Sequence, residues 1–265
     1  MAAVYNLSGG SVSIGRILSR TLGAITGNPG VMLGIAFLFG ALPQTALGYL
    51  QTLASTGQLA PIDTGATVVI AILAALIGIV LAMIVQGGLV RATMTEIEGE
   101  RATFSQCVVS GFSRALPMLG IGILVALGVG VGFLLLIVPG VIFYLMWSVS
   151  IPVTVVERRS VIDSMSRSSD LTSGARGIIF ALMLIIWVLT IGAGLISGMV
   201  GTAITGLEVA TPAMRDWLQF AALAADAVVT TLVTVFASAI PTALYVELRE
   251  WKEGPIADTL SDIFA

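Results

Sequence analysis

Asp226, Thr230, Thr234, Ser238 and Thr242 follow one another at four-residue steps through an otherwise apolar stretch. On an α-helix that spacing draws one slowly drifting polar stripe. A charge at the bilayer centre costs roughly 2.5–3.5 kcal/mol on insertion scales, and such residues by default mark function. The functional reading is a proton or ion site at Asp226, with Thr230 and Thr234 lining a polar cavity. The competing reading is an acid in the outer third of the membrane, reached by water or bonded to Gln44 or a neighbouring hydroxyl. That reading gains weight because Asp226 is the only acid expected inside a span, so it has no second charge to pair or relay with.

Other chemistry has little to stand on. The chain has no histidine, the commonest general base and metal ligand. Its one cysteine, Cys107, forms no intramolecular disulfide. The sequence holds no phosphate-cradling glycine loop, nucleophile elbow or metal-ligand cluster. No catalytic, cofactor or metal-binding residue is therefore expected. With a net charge of -3 and no basic face, nucleic acid is not an expected partner.

The elements that must carry the stripe are membrane helices. Hydrophobic residues make up 57% of the 265 positions and charged residues 10%, against about 25% in soluble domains. Mean hydropathy is +1.05. No stretch is polar and long enough for a soluble domain, so residues 1–265 read as a single integral membrane domain with an all-α fold. Residues 1–10 lack the pattern of a signal peptide and read as a disordered or surface-lying lead.

From Ser11 to Thr26, Ile14, Ile17, Leu18, Leu22 and Ile25 give one apolar face, with Arg16 and Arg20 on the other. This is a helix lying in the interface or a cytosolic cap packed on the helix ends. Runs of about 20 apolar residues mark spans, here near 31–53, 66–90, 115–137, 139–156, 177–201 and 217–248. The run from Ala115 to Val156 is twice one span, and Pro139-Gly140 divides it into a hairpin or, alternatively, a re-entrant segment. Phe104/Val108/Phe112 and Val161/Met165, with Ser169 in the third slot, repeat the pattern of Ile14/Leu18/Leu22. Three units of surface helix plus hairpin result. Beyond Pro255, Ile256, Leu260, Ile263 and Phe264 suggest one more short amphipathic helix.

Gly128 and Gly132 on the third span, and Gly194 and Gly198 on the fifth, stand four apart, a spacing that lets helices approach closely. Packing within one chain is expected before a subunit interface. Tyr245, Trp251 and Trp217 read as interface anchors. Arg158, Arg159, Arg167 and Arg176 either fix topology or hold anionic lipid headgroups, with Asp163 and Asp170 diluting their field.

Pro139-Gly140, Trp147, Pro152, Val155-Val156-Glu157, Ser166-Arg167-Ser168, Leu171 and Gly174 together resemble a family of bacterial six-span membrane proteins of unknown function. That family includes the membrane domain attached to some glycerophosphodiester phosphodiesterases. About 40 residues carry the resemblance. It implies a fold and a bacterial inner membrane, with Pro139, Gly140, Glu157, Ser168 and Gly174 as motif positions. Without a soluble catalytic domain it implies no reaction.

The expected function is a non-enzymatic membrane scaffold that assembles with itself or another membrane protein and contacts membrane lipids. The alternative is a permease for a small or amphiphilic substrate using Asp226. A lateral groove between spans would point instead to lipid handling.

Six spans put both termini on one side. That side collects 11 of the 12 lysines and arginines, leaving Arg215 alone opposite. The positive-inside rule places the 11 in the cytoplasm. Reporters that work only in the cytoplasm should be active at either terminus and silent when inserted at Glu208; the reverse pattern would reject this orientation.

Overall fold

The structure, a computed structural model, describes residues 12–55, 64–206 and 211–254. All regular structure among them is helical. Helix α1 (Ile14–Gly27) leads into α2 (Pro29–Ile35), a π-helical stretch (Ala36–Ala41) and α3 (Leu42–Ser55). Then follow α4 (Thr64–Ile97), α5 (Phe104–Leu135), α6 (Ile137–Met146), α7 (Ser150–Val156), α8 (Val161–Thr172), α9 (Arg176–Gly206) and α10 (Pro212–Glu253). Six segments are long and apolar enough to cross a membrane: Pro29–Leu50, Gly65–Ile97, Phe104–Leu135, Ile137–Val156, Arg176–Ala203 and Trp217–Glu253. The expected lead, the loop around Glu208 and the tail beyond Pro255 lie outside the described residues.

Local chemistry sets most boundaries. Pro29 opens α2, where its missing N–H is no loss. The π turns precede Pro43, which gives the preceding turn no N–H, and the Leu42 N–H reaches back to the Phe37 carbonyl. Thr103 and Gln106 close a capping box at the start of α5. Ser160 caps α8 by accepting from the Asp163 N–H at 3.3 Å. Gly174 follows α8 at φ +89°, a conformation that favours glycine.

Two expected elements take a different form. The segment holding Phe104, Val108 and Phe112 is the beginning of α5, because nothing between Phe112 and Ala115 stops a helix and Arg114 fits at its charged end. The break expected at Pro139-Gly140 falls at Leu136, whose extended backbone (φ -166°, ψ 155°) separates α5 from α6. Pro139 then sits in the first turn of α6, where proline is tolerated. The fourth span is itself two helices, α6 and α7, interrupted at Trp147–Val149.

The buried core gathers at one end of the bundle, here termed the charged end. It holds α1, the α4–α5 connection, α7, α8 and the last turns of α10. Ile17, Leu171, Ile179, Leu244 and Tyr245 pack there with no exposed surface, and Met32, Ile35, Leu89 and Cys107 form a second cluster. Helix α1 rests on α10 and α4, as a cap does, burying Ile17, Thr21 and Ala24. Away from this end the helices turn apolar side chains outward, as at Val69, Leu76, Leu189 and Leu195. The last span, 37 residues long, reaches about 55 Å at about 1.5 Å per residue, beyond a hydrocarbon core of about 30 Å. A span of that length tilts or projects beyond the hydrocarbon.

Close backbone approach joins the helices. A side chain at Gly87 would meet the Gly111 Cα at 2.8 Å, tying α4 to α5. One at Gly132 would meet the Gly140 Cα at 2.7 Å, tying α5 to α6. Gly132→Leu should therefore destabilise the folded protein in mild detergent by about 1–3 kcal/mol. Gly122→Ala, where the added carbon meets nothing within 4 Å, should leave the melting temperature nearly unchanged. Equal melting of the two variants would refute this packing.

Candidate functional site

Tyr245 and Glu247 are two residues apart on α10, so their side chains leave the helix on nearly opposite sides. This makes the end of α10 a wedge with a charged partner on each flank. On one flank Glu247, 3% exposed, accepts from Arg16 Nε at 2.7 Å and from the Ser13 N–H at 3.2 Å. Arg20 Nη1 lies 3.4 Å from the other oxygen of Glu247, and Arg20 Nη2 donates to Glu250 at 2.6 Å. Helix α1 is docked by these pairs as well as by Ile17.

On the other flank Tyr245, fully buried, donates its hydroxyl to Glu157 Oε1 at 3.0 Å. Arg167 reaches the same oxygen at 3.2 Å, and Arg159 reaches Oε2 at 2.5 Å. Arg167 also pairs with Glu253, which Arg249 approaches at 3.3 Å. Lys252 donates to Ser173 Oγ at 2.6 Å and to the Asp170 carbonyl. Helix α8 is thereby bound to α7 and α10. Burial opposes ionisation of Glu157, but the Tyr245 hydroxyl, Arg167 and Arg159 outweigh it and hold the carboxyl below its usual range.

Two expectations are corrected here. Asp226 is not the only acid within a span, because Glu247 lies inside Trp217–Glu253 and is buried. Tyr245 is not an interface anchor, because its ring lies in the protein core. A buried acid and a buried phenol are held by partners that no local pattern displays. The available signal was the acid itself, set in the apolar run that ends at Leu248.

The break in the fourth span leaves backbone groups that lipid would not satisfy. Ser168 of α8 fills that need. Its Oγ donates to the Met146 carbonyl at 2.9 Å and accepts from the Val149 N–H at 3.3 Å. Thr172 adds a hydrogen bond to the same carbonyl at 3.3 Å. Ser168 thus sits at the break, Glu157 in the ionic flank, and Pro139 and Gly140 at the α5–α6 approach. Gly174 ends α8 where a side chain would lie 3.1 Å from the Trp251 ring. Of the motif positions of the resemblance, Gly140, Glu157, Ser168 and Gly174 hold structural joints.

The polar stripe divides. Asp226 is half-buried and, among the described residues, its carboxylate has no hydrogen bond or ion pair. Thr230, one turn on, is also half-buried. Thr234 lines a cavity of about 930 Å³ with Gln44 and Gln86, and Asp226 is outside that lining. Ser238 lies 3.5 Å from the Gln86 carbonyl, and Thr242 donates to the Ser238 carbonyl at 2.9 Å. Among the described residues no cluster of His, Cys, Asp and Glu could hold a metal.

The glycine pairs also divide. Gly128 accommodates the Trp147 ring, which an added carbon would meet at 2.5 Å, and Gly132 accommodates Gly140. An added carbon at Gly194 or Gly198 would meet nothing within 4 Å, so neither serves the expected packing within this chain. What the charged end can do chemically is hold helices together, with Glu157, Glu247, Glu250 and Glu253 already engaged by arginines.

A carboxyl held below its usual range stabilises the fold above that range. The contribution is lost as pH falls through the lowered value, since the unfolded chain takes up the proton first. Thermal stability in detergent should therefore be flat near neutrality and fall below about pH 4.5, the ordinary value. Glu157→Gln should lose about 2 kcal/mol at neutral pH and show a shallower acid decline. An unchanged acid profile would remove Glu157 from the clamp.

No curated protein and no solved structure matches the chain. A family model described as a domain of unknown function, DUF7847, matches residues 12–248, from the approach to α1 through the clamp residue Glu247. The match takes in the described spans up to residue 248 with Glu157, Arg167, Tyr245 and Glu247 of the wedge, and the chain belongs to that family.

Proposed function

We propose that this protein is a non-enzymatic scaffold of a bacterial inner membrane, with both termini in the cytoplasm, that assembles with itself or another membrane protein. The observation that carries the reading is the outward face of α9. Its main neighbours in the bundle are α10 and α6. Gly194 and Gly198 are exposed, with open space where a side chain would stand, and Ile191, Leu195 and Met199 beside them are exposed too. A small residue every fourth position in an apolar helix lets a second helix approach closely in lipid. The clamped charged end gives such an assembly a stiff base.

The resemblance to a membrane domain attached to soluble phosphodiesterases supports a role in holding other components. A permease reading finds support in Thr234, Gln44 and Gln86 at the large cavity, but Asp226 stands outside it.

The test is the mass of the particle extracted mildly with its native lipids, with co-purifying chains identified. A defined assembly is expected. Gly194→Leu with Gly198→Leu should weaken association about tenfold or more, as a loss of about 1–2 kcal/mol of helix contact would. A native particle that is a lone monomer would overturn the scaffold reading.

A further inference from the structure

We infer that the 930 Å³ cavity between the π-helical stretch, α4 and α10 binds a neutral lipid. Its ligand class is an uncharged hydrogen-bonding head on a long apolar chain. The volume is in the range of about 300–1,000 Å³ typical of ligand pockets. Among the described residues lining it none is charged, and four are polar: Gln44, Gln86, Thr190 and Thr234. The Thr190 hydroxyl already donates to the Ile186 carbonyl at 2.8 Å. The Gln86 carboxamide and the Thr234 hydroxyl have no hydrogen-bond partner among the described residues. Polar groups left unmatched in hydrocarbon are costly. A ligand head with a hydroxyl or carbonyl would match them.

The rest of the surroundings select the rest of the molecule. Without a basic side chain in the wall, a phosphate or carboxylate head would enter unpaired, so the head must be uncharged. A second cavity of about 470 Å³ adjoins the first and shares Thr190, Val233 and Ala237 with it. It runs between α9 and α10, with Ile196 and Phe236 in its wall and Thr190 as its one polar residue among those described. The two cavities share a wall, so the apolar second cavity offers room for a chain beside a compartment for a head. The wall of the first cavity includes Phe39 and Gly40 of the π-helical stretch, a departure from regular helix that recurs at functional sites.

The experiment uses the purified full chain in lipid nanodiscs and three photoactivatable probes: a hexadecanol analogue, the matching fatty acid and a matching phosphatidylglycerol. Crosslinks are mapped by mass spectrometry. The alcohol should label peptides of α3, α4 and α10 in preference to both charged probes. Competition by unlabelled diacylglycerol or by an isoprenoid quinone distinguishes the two sources of such a head. Gly78→Phe grows into open space at the cavity wall, so the protein should fold and lose most of the labelling. Gln86→Leu with Thr234→Val should keep the labelling of a plain alkyl probe and lower the preference for the alcohol roughly threefold to tenfold. Equal labelling by neutral and charged probes, or labelling that Gly78→Phe leaves unchanged, would overturn the proposal and leave a groove filled by bulk lipid tails.

Discussion

Lipid tails are as apolar as leucine, so an apolar side chain gains little by leaving lipid for protein. That constraint governs the bundle. What holds its helices is close approach and hydrogen bonding. Gly87 against Gly111 and Gly132 against Gly140 bring backbones together, while Ser168 and the Glu247 and Glu157 flanks supply the directed bonds. Away from the charged end, large apolar residues such as Leu76 and Leu195 face outward because nothing draws them in.

The same constraint explains which face of each short amphipathic segment is buried. The apolar rows are Ile14/Leu18/Leu22, Phe104/Val108/Phe112 and Val161/Met165. Yet Leu22 is 52% exposed and Phe112 69%. Fully buried are Ile17, a member of the expected face, with Thr21 beside it, Cys107, and Ser164 with Ser168 and Thr172. These neighbouring rows consist mostly of small or hydroxyl-bearing residues that permit contact. Helical period was legible from spacing, and on α1 so was most of the buried face, since Ile17 is buried and Ile14, Leu18 and Ile25 pack against the core. At the start of α5 and on α8, contact falls largely on a neighbouring row of small residues.

Span existence was legible for a simple reason: about 20 apolar residues have few other places to go. Long-range pairing was not. Arg16 and Glu247 are 231 residues apart, and neither local period nor composition carries that distance. The break in the fourth span was hidden likewise, since Trp147–Val149 is apolar enough to read as continuous helix and its hydrogen-bond partner lies in another element. Asp226 drew attention as an isolated acid, while Glu247, closer to a charged segment, passed as part of the span's end.

The union of α1 with α10 also orders events in time. Helix α1 leaves the ribosome well before Glu247, which follows Arg16 by 231 residues. Until then Arg16 and Arg20 must remain solvated or find temporary company, and α1 has no finished seat. The charged end therefore closes only once α10 has been made. A chain halted before its final helix would keep several spans yet lack the fastening that binds its first helix to the rest.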